Sequence, residues 1–137
     1  MTVTYQAESG LGLAEYIAIL EASGLAERRP VRFPDRMAAN LTHSGLIVTA
    51  RTETGELVGI ARSITDWSAV LYCADLAVAS SHKGLGIGKR LLAETVKLAP
   101  DVLTFFLVSA PGAVGFYEQA GYQRLDDTFV FHRNPLP

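Results

Sequence analysis

The residues best suited to chemistry lie in one stretch, Ser80-Ser81-His82-Lys83-Gly84-Leu85-Gly86-Ile87-Gly88-Lys89-Arg90, which leads into the helix formers Leu91 to Leu98. A glycine-rich turn between a strand and a helix offers main-chain N–H groups to an anion. The first helical turn has donors without intrahelical partners, and the helix dipole favours negative charge there. Glycines let a phosphate approach without a Cβ in the way. Lys83, Lys89 and Arg90 add positive charge around the same turn, so the stretch suits a diphosphate. A P-loop needs Gly, four residues, Gly-Lys, then Ser or Thr. Here Gly88-Lys89 is followed by Arg90, and Lys83 stands where the first glycine belongs. A dinucleotide fingerprint begun at Gly84 meets Lys89 at its third glycine, and one begun at Gly86 meets Leu91. Both patterns fail.

The elements around this turn must position it. The chain has 137 residues, 49% hydrophobic and 19% charged, which suits a single domain over 1–137 that buries roughly two-thirds of its unfolded surface. Twelve Lys and Arg against fourteen Asp and Glu give a net charge of −2, which argues against a nucleic-acid partner bound through its phosphates. The lone cysteine, Cys73, excludes an intramolecular disulfide and fits a reducing, cytoplasmic setting. Its predicted strand makes it a packed, inert thiol. The start Met1-Thr2-Val3-Thr4-Tyr5 has no basic region followed by an apolar run, so no signal peptide is expected. No apolar stretch reaches the ~20 residues of a membrane helix, so no membrane partner is expected either.

Along the chain, Thr2 to Ala7 alternates weakly as a first strand. Leu13, Tyr16, Ile17 and Leu20 have the spacing of an amphipathic helix, with Ser9 as candidate cap and Gly24 as stop. Pro34, Met37 and Leu41 mark a second helix. Leu46 to Ala50, Leu57 to Ala61 and Val70 to Val78 follow with short joints and predict an antiparallel meander. After the glycine-rich turn and its helix, Val102 to Val108 reads as a strand buried on both faces. A helix is predicted from about Pro111 to Ala120, and Phe129-Val130-Phe131 as the closing strand. The order β-α-α-β-β-β-α-β-α-β describes an α/β fold with helices packed on a mixed sheet.

One pattern does fit the turn: a basic residue or Gln, two residues, Gly, one residue, Gly or Ala, here Lys83-Gly84-Leu85-Gly86-Ile87-Gly88 after the strand end Leu76-Ala77-Val78. About 30 residues later, Ala113-Val114-Gly115-Phe116-Tyr117-Glu118-Gln119-Ala120-Gly121-Tyr122 is similar to a second segment of the same family, Ala-x-x-Phe-Tyr-x-x-x-Gly-Phe/Tyr. With both segments in order, the chain resembles the GNAT superfamily of N-acetyltransferases from about residue 70 to 122.

The resemblance implies acetyl-CoA as co-substrate and an acyltransferase fold. The backbone of Leu76, Ala77 and Val78 would pair with the pantetheine arm, and donors near Leu76 would polarise the thioester carbonyl. Main-chain N–H groups from Gly84 through Leu85, Gly86, Ile87 and Gly88 to Lys89 would hold the pyrophosphate, with Lys83 beside them. Phe116 is carried over as a cofactor contact. Tyr117 would be the general acid that protonates the departing thiolate; the alternative is a tyrosine merely packed beside Phe116. Relatives often carry Glu or His four or two residues before the position of Leu76, where this chain has Tyr72 and Ala74. Asp75 is the nearest carboxylate, and strand alternation points it to the face opposite Tyr72 unless a bulge re-aims it. Deprotonation of the acceptor through ordered water, or binding of a neutral amine, is therefore the expectation.

For the acceptor, Arg29, Trp67 and Tyr72 are the candidate contacts. Arg28 and Arg29 could hold a carboxylate, or could form a solvated basic loop; Trp67 and its neighbour Asp66 could line a pocket, or Trp67 could anchor a surface. His43, His82 and His132 have no ligand spacing, so no metal is expected. The expected activity is acetyl transfer to the primary amine of a small molecule by direct attack in a ternary complex. The rivals are a non-catalytic acyl-CoA sensor and an enzyme acting on a protein or peptide amine. The resemblance also brings in homodimer formation, which is common in the family.

Overall fold

Arg62 and Asp75 lie in the middle of two neighbouring apolar runs, and the architecture is arranged around them. The computed structural model describes residues 2–133. The chain divides into two compact units, Met1–Leu107 and Val108–Pro137.

In the first unit, strand β1 (Val3–Ala7) is followed by helices α1 (Leu13–Ser23) and α2 (Pro34–Thr42), strands β2 (Leu46–Thr52), β3 (Leu57–Thr65) and β4 (Val70–Val78), helix α3 (Ile87–Leu98) and strand β5 (Thr104–Leu107). The sheet runs in the order β1-β2-β3-β4-β5. The first three pairings are antiparallel and β4 pairs with β5 in parallel. The mixed sheet and its helices have the expected α/β class.

Helix α1 starts later than Ser9 predicts. Gly12 occupies the cap position without a side-chain hydrogen bond, and the first intrahelical bond runs from Tyr16 N–H to Gly12 C=O. Leu11, just before the cap, packs in the same apolar cluster as Tyr16, a staple that sets the entry angle of the helix. The helix stops at Gly24, whose φ of 86° suits glycine. Tyr16, Ile19 and Leu20 of α1 and Met37 of α2 cover one sheet face through Ile47, Ile60 and Ala77. Each fully buried aliphatic side chain there contributes roughly 1.5–3 kcal/mol.

Helix α3 covers the opposite face. It approaches closely because β3 has a glycine under it: a Cβ on Gly59 would lie 3.0 Å from Leu91 Cδ1, 3.1 Å from Ile87 Cγ2 and 3.3 Å from the Ala77 carbonyl oxygen. The start of α3, which carries the glycine-rich turn, is thereby seated directly against β3 and β4.

Two strands differ from expectation. The run Val102 to Val108 yields only the four-residue β5, with alternating exposure. Val102 is buried before the strand begins, while Leu103 is 85% exposed. The closing strand at Phe129-Val130-Phe131 is not formed, and these residues are exposed. Their unit, Val108–Pro137, contains helix α4 (Val114–Gln119) and no strand among its described residues. Without a neighbour to complete its ladder, a β-prone triplet gains nothing from extension.

Replacing Gly59 by Val should cost about 1–3 kcal/mol through overpacking, read as a lower urea midpoint at unchanged m-value.

Candidate active site

The glycine-rich turn has an open main chain. Gly84 and Gly86 adopt φ of 80° and 81°, a region that side-chain-bearing residues avoid. A Cβ built on either would meet nothing within 4 Å. Gly86 caps α3 without a side-chain hydrogen bond, and the first ladder bond joins Arg90 N–H to Gly86 C=O at 3.0 Å. The N–H groups of Ile87, Gly88 and Lys89 therefore lie outside the ladder, at the positive end of a twelve-residue helix. Lys89 is exposed at this turn. Arg90 is committed elsewhere, to Glu94 at 2.9 Å and to the face of Tyr5. Lys83 donates to the Ser23 carbonyl at 3.1 Å, which fixes it on the negative end of α1. Leu85 is exposed and Ile87 is buried against the sheet.

The strand leading to this turn has a free edge within the sheet. Parallel pairing with β5 covers only Val70 to Cys73. Among the described residues, β4 beyond Ala74 pairs with β3 alone, over Asp75, Leu76, Ala77 and Val78. A short 3-10 turn, Ser80–His82, joins this unpaired strand edge to the uncapped helix start. An extended amide-containing chain ending in a phosphate suits these two features, the amides at the strand edge and the phosphate at the helix start.

A bulge sits where the two strands part. Arg62 lies opposite Asp75 and Ser63 opposite Cys73, so Ala74 has no partner on β3. This extra residue overturns the simple alternation expected for β4. Ile64, two residues from Arg62, lies opposite Tyr72, which places Tyr72 and Asp75 on the same face. Cys73 takes the other face, and burial pushes its thiol up to about 12.

Asp75 is fully buried and accepts from three side chains: Tyr16 Oη at 2.5 Å, Arg62 Nε at 2.6 Å and Arg29 Nε at 2.6 Å. Burial works against its charge. The Arg62 cation and the hydrogen bonds from Tyr16, Arg62 and Arg29 outweigh that and hold the carboxyl below its ordinary pKa. Burial and the Asp75 charge push the Tyr16 phenol up to about 12. Arg62 also reaches Ser44 Oγ at 3.2 Å. Arg29 donates from Nη2 to the Ala74 carbonyl at 2.7 Å and from Nη1 to the Arg28 carbonyl at 2.9 Å. The Arg29 side chain is thus held over the bulge. Asp75 is an anchor whose two carboxylate oxygens are taken up by these three donors.

Tyr72, on this face, stacks on Phe106 of β5 with centroids 5.1 Å apart. Trp67 is half-exposed at the far tip of the β3–β4 hairpin, with φ of 62°. Asp66 stabilises that turn by accepting the N–H groups of Ser68, Ala69 and Val70. Four strand steps of about 3.3 Å separate the hairpin end at Val70 from the bulge at Ala74, so Trp67 is not brought to Arg29. In the second unit, Tyr117 lies on α4 and packs edge-to-face with Phe116 and Tyr122 at 5.1 and 6.3 Å. Sequence reasoning missed Tyr16 and Arg62. An arginine amid the apolar residues of β3 was the available signal, since such a charge demands a buried counter-ion. Among the described residues, no cluster of His, Cys, Asp and Glu could hold a metal ion, and no helix is long and apolar enough to cross a membrane.

The model of the Acetyltransferase (GNAT) family matches residues 14–122. The chain belongs to the GNAT family. Solved GNAT-like structures superpose along nearly the whole chain. A GNAT-family acetyltransferase of Streptococcus pneumoniae TIGR4 is 22% identical, with a TM-score of 0.75 over 97% of this chain and 98% of that one. An acetyltransferase of Trypanosoma brucei is 20% identical, with a TM-score of 0.71 over 96% and 100%. An aminoglycoside acetyltransferase from an uncultured soil metagenomic sample, in complex with sisomicin, is 16% identical, with a TM-score of 0.73 over 98% and 97%. At these identities the likeness is one of fold; the family match makes the chain an acyltransferase.

In this GNAT chain the Asp75→Asn change should destabilise by about 3 kcal/mol or more, because it leaves buried Arg62 without its counter-charge. The depressed carboxyl of Asp75 contributes stability above its unfolded pKa near 3.8, and that contribution is lost as pH falls below it. Urea titrations across pH 2–6 should show a shallower acid loss in the variant than in the wild type.

Proposed function

We propose that this GNAT chain, acting as one domain over residues 1–137, transfers the acetyl group of acetyl-CoA to a primary amine of a small molecule, by direct attack in a ternary complex. The observation that carries the reading is the free edge of β4 from Ala74 to Val78, running into a helix start whose N–H groups are open. This arrangement fits the co-substrate: amides along the strand suit the pantetheine arm, and the N–H groups of 84–89 suit the pyrophosphate, with Lys89 nearby. Lys83 would have to leave the Ser23 carbonyl to join them.

Acetyl-CoA supplies the acetyl group as a thioester. Main-chain donors near Leu76 polarise its carbonyl and stabilise the developing oxyanion. Tyr117 donates its phenolic proton to the departing sulfur, with Phe116 as a cofactor contact. Tyr72 contacts the acceptor. Trp67, at the far hairpin tip, is the weakest of the acceptor contacts expected from sequence. With Asp75 held by Arg62 and Arg29, the acceptor loses its proton through water or binds as the neutral amine.

The aminoglycoside acetyltransferase among the structural neighbours supports a small-molecule acceptor. The lone, buried Cys73 suits a reducing cytoplasm, and homodimer formation is part of the same proposal.

A thiol-release assay with acetyl-CoA and a broad amine panel tests the activity; no release with any amine overturns it. Tyr117→Phe should lower kcat about 10²-fold or more while the Kd for acetyl-CoA, read by calorimetry, changes little. The Asp75→Asn enzyme, where it folds, should keep every limb of the wild-type pH–rate profile between pH 6 and 9. Loss of a limb would identify Asp75 as the base.

A further inference from the structure

We infer that the acceptor carries a carboxylate as well as its amine, and that Arg29 binds this carboxylate beside Ala74, where the pairing of β4 with β5 ends. The inference rests on the acetyltransferase reading and narrows its substrate class.

Three features place a carboxylate site here. First, Arg29 is built in. Its Nε is held by a fully buried aspartate and its Nη2 by the carbonyl of the bulge residue. Its side chain is 25% exposed, so the charge is oriented and still reachable. Of the five N–H donors of a guanidinium, Nε and one hydrogen on each terminal nitrogen are engaged. One hydrogen on Nη1 and one on Nη2 remain, and a guanidinium fixed from behind suits a carboxylate in front.

Second, the local charge is positive. Asp75 is shared between Arg29 and Arg62, so the cluster retains one unit of positive charge. Nearby, Arg28 is matched by Glu27 on the connection and Arg36 by Asp35 at the start of α2, so this excess stands in a chain whose net charge is −2. Such a patch attracts an anionic group and repels a polycation.

Third, the position is right. Ala74, whose carbonyl Arg29 holds, is the first residue of β4 beyond its pairing with β5. Tyr72 and Phe106, stacked beside it, provide an apolar wall. An amine whose carboxylate sits on Arg29 is thus held next to the strand edge where the thioester is proposed to lie.

The test compares kcat/KM for the common α-amino acids with that for their carboxamides and for spermidine, in the wild type and in Arg29→Gln. The expected result is a preference for the free carboxylate of about 10- to 100-fold in the wild type, collapsing to within about threefold in Arg29→Gln because only the acids lose rate. The ratio is internal to each protein, so a less stable variant does not obscure it, and Arg29→Lys should recover part of it. Equal use of acids and carboxamides by the wild type, or preference for spermidine, overturns the inference while leaving the transferase intact. So does an Arg29→Gln variant that loses both substrates equally, which would mark Arg29 as structural. If no amine is acetylated, the transferase reading has failed, and the site is then read by calorimetry of the CoA-loaded protein. N-acetyl amino acids binding more tightly than their amides, with the difference lost in Arg29→Gln, would support it; equal or undetectable binding would overturn it.

Discussion

A negative charge buried at the centre of the sheet sets the terms for much of the first unit. An isolated carboxylate at the position of Asp75 would be too costly to bury, so the fold must bring donors to it from separate parts of the chain. Tyr16 comes from the first helix, Arg62 from the adjacent strand and Arg29 from the connection between α1 and α2. Each is placed by its own local logic: a helical face, a cross-strand position and a short turn beyond Gly24. The ion network therefore specifies how α1 and its connection lie on the strands, beyond what apolar packing at Leu20 and Met37 would decide. Its weight is in orientation, since buried ion pairs seldom outperform well-packed apolar groups in stability.

The bulge at Ala74 follows from the same constraint. Without the extra residue, Asp75 would point to the α3 face, away from Tyr16 and Arg29. With it, the carboxylate reaches its donors while Cys73 keeps to the opposite face. The bulge also lies where β5 ends its pairing, so the strand is re-aimed at the point where its peptide groups become available. Structural anchoring and an open edge meet within two residues, and Gly59 brings the start of α3 against the same strand.

Much of this was legible from residue types. The meander was readable because each run is β-rich and each joint short, and Gly24 and Pro34 mark helix ends through backbone preferences that tertiary packing did not overrule. The glycine-rich turn was legible for the same reason. What escaped were features set by pairing. Alternation along β4 gave the wrong face for Asp75 because a bulge is a property of two strands together. The closing strand at Phe129 failed likewise: three β-prone residues do not disclose whether a partner exists. Ser9 looked like a cap by type, but Leu11 packing into the core moved the helix start to Gly12. Tyr16 was read as an apolar face residue, and its hydroxyl bond to Asp75 needed the third dimension.

The turn before α3 presents peptide N–H groups where many anion sites present side chains. Evolutionary drift has little to erase in such a cradle. Leu85, exposed and bonded to nothing through its side chain, is open to almost any replacement, whereas Gly84 and Gly86 are held by their φ angles alone. Inheritance of the cradle then depends on keeping a backbone path, and the rest of the surface is left at liberty to diverge toward new acceptors.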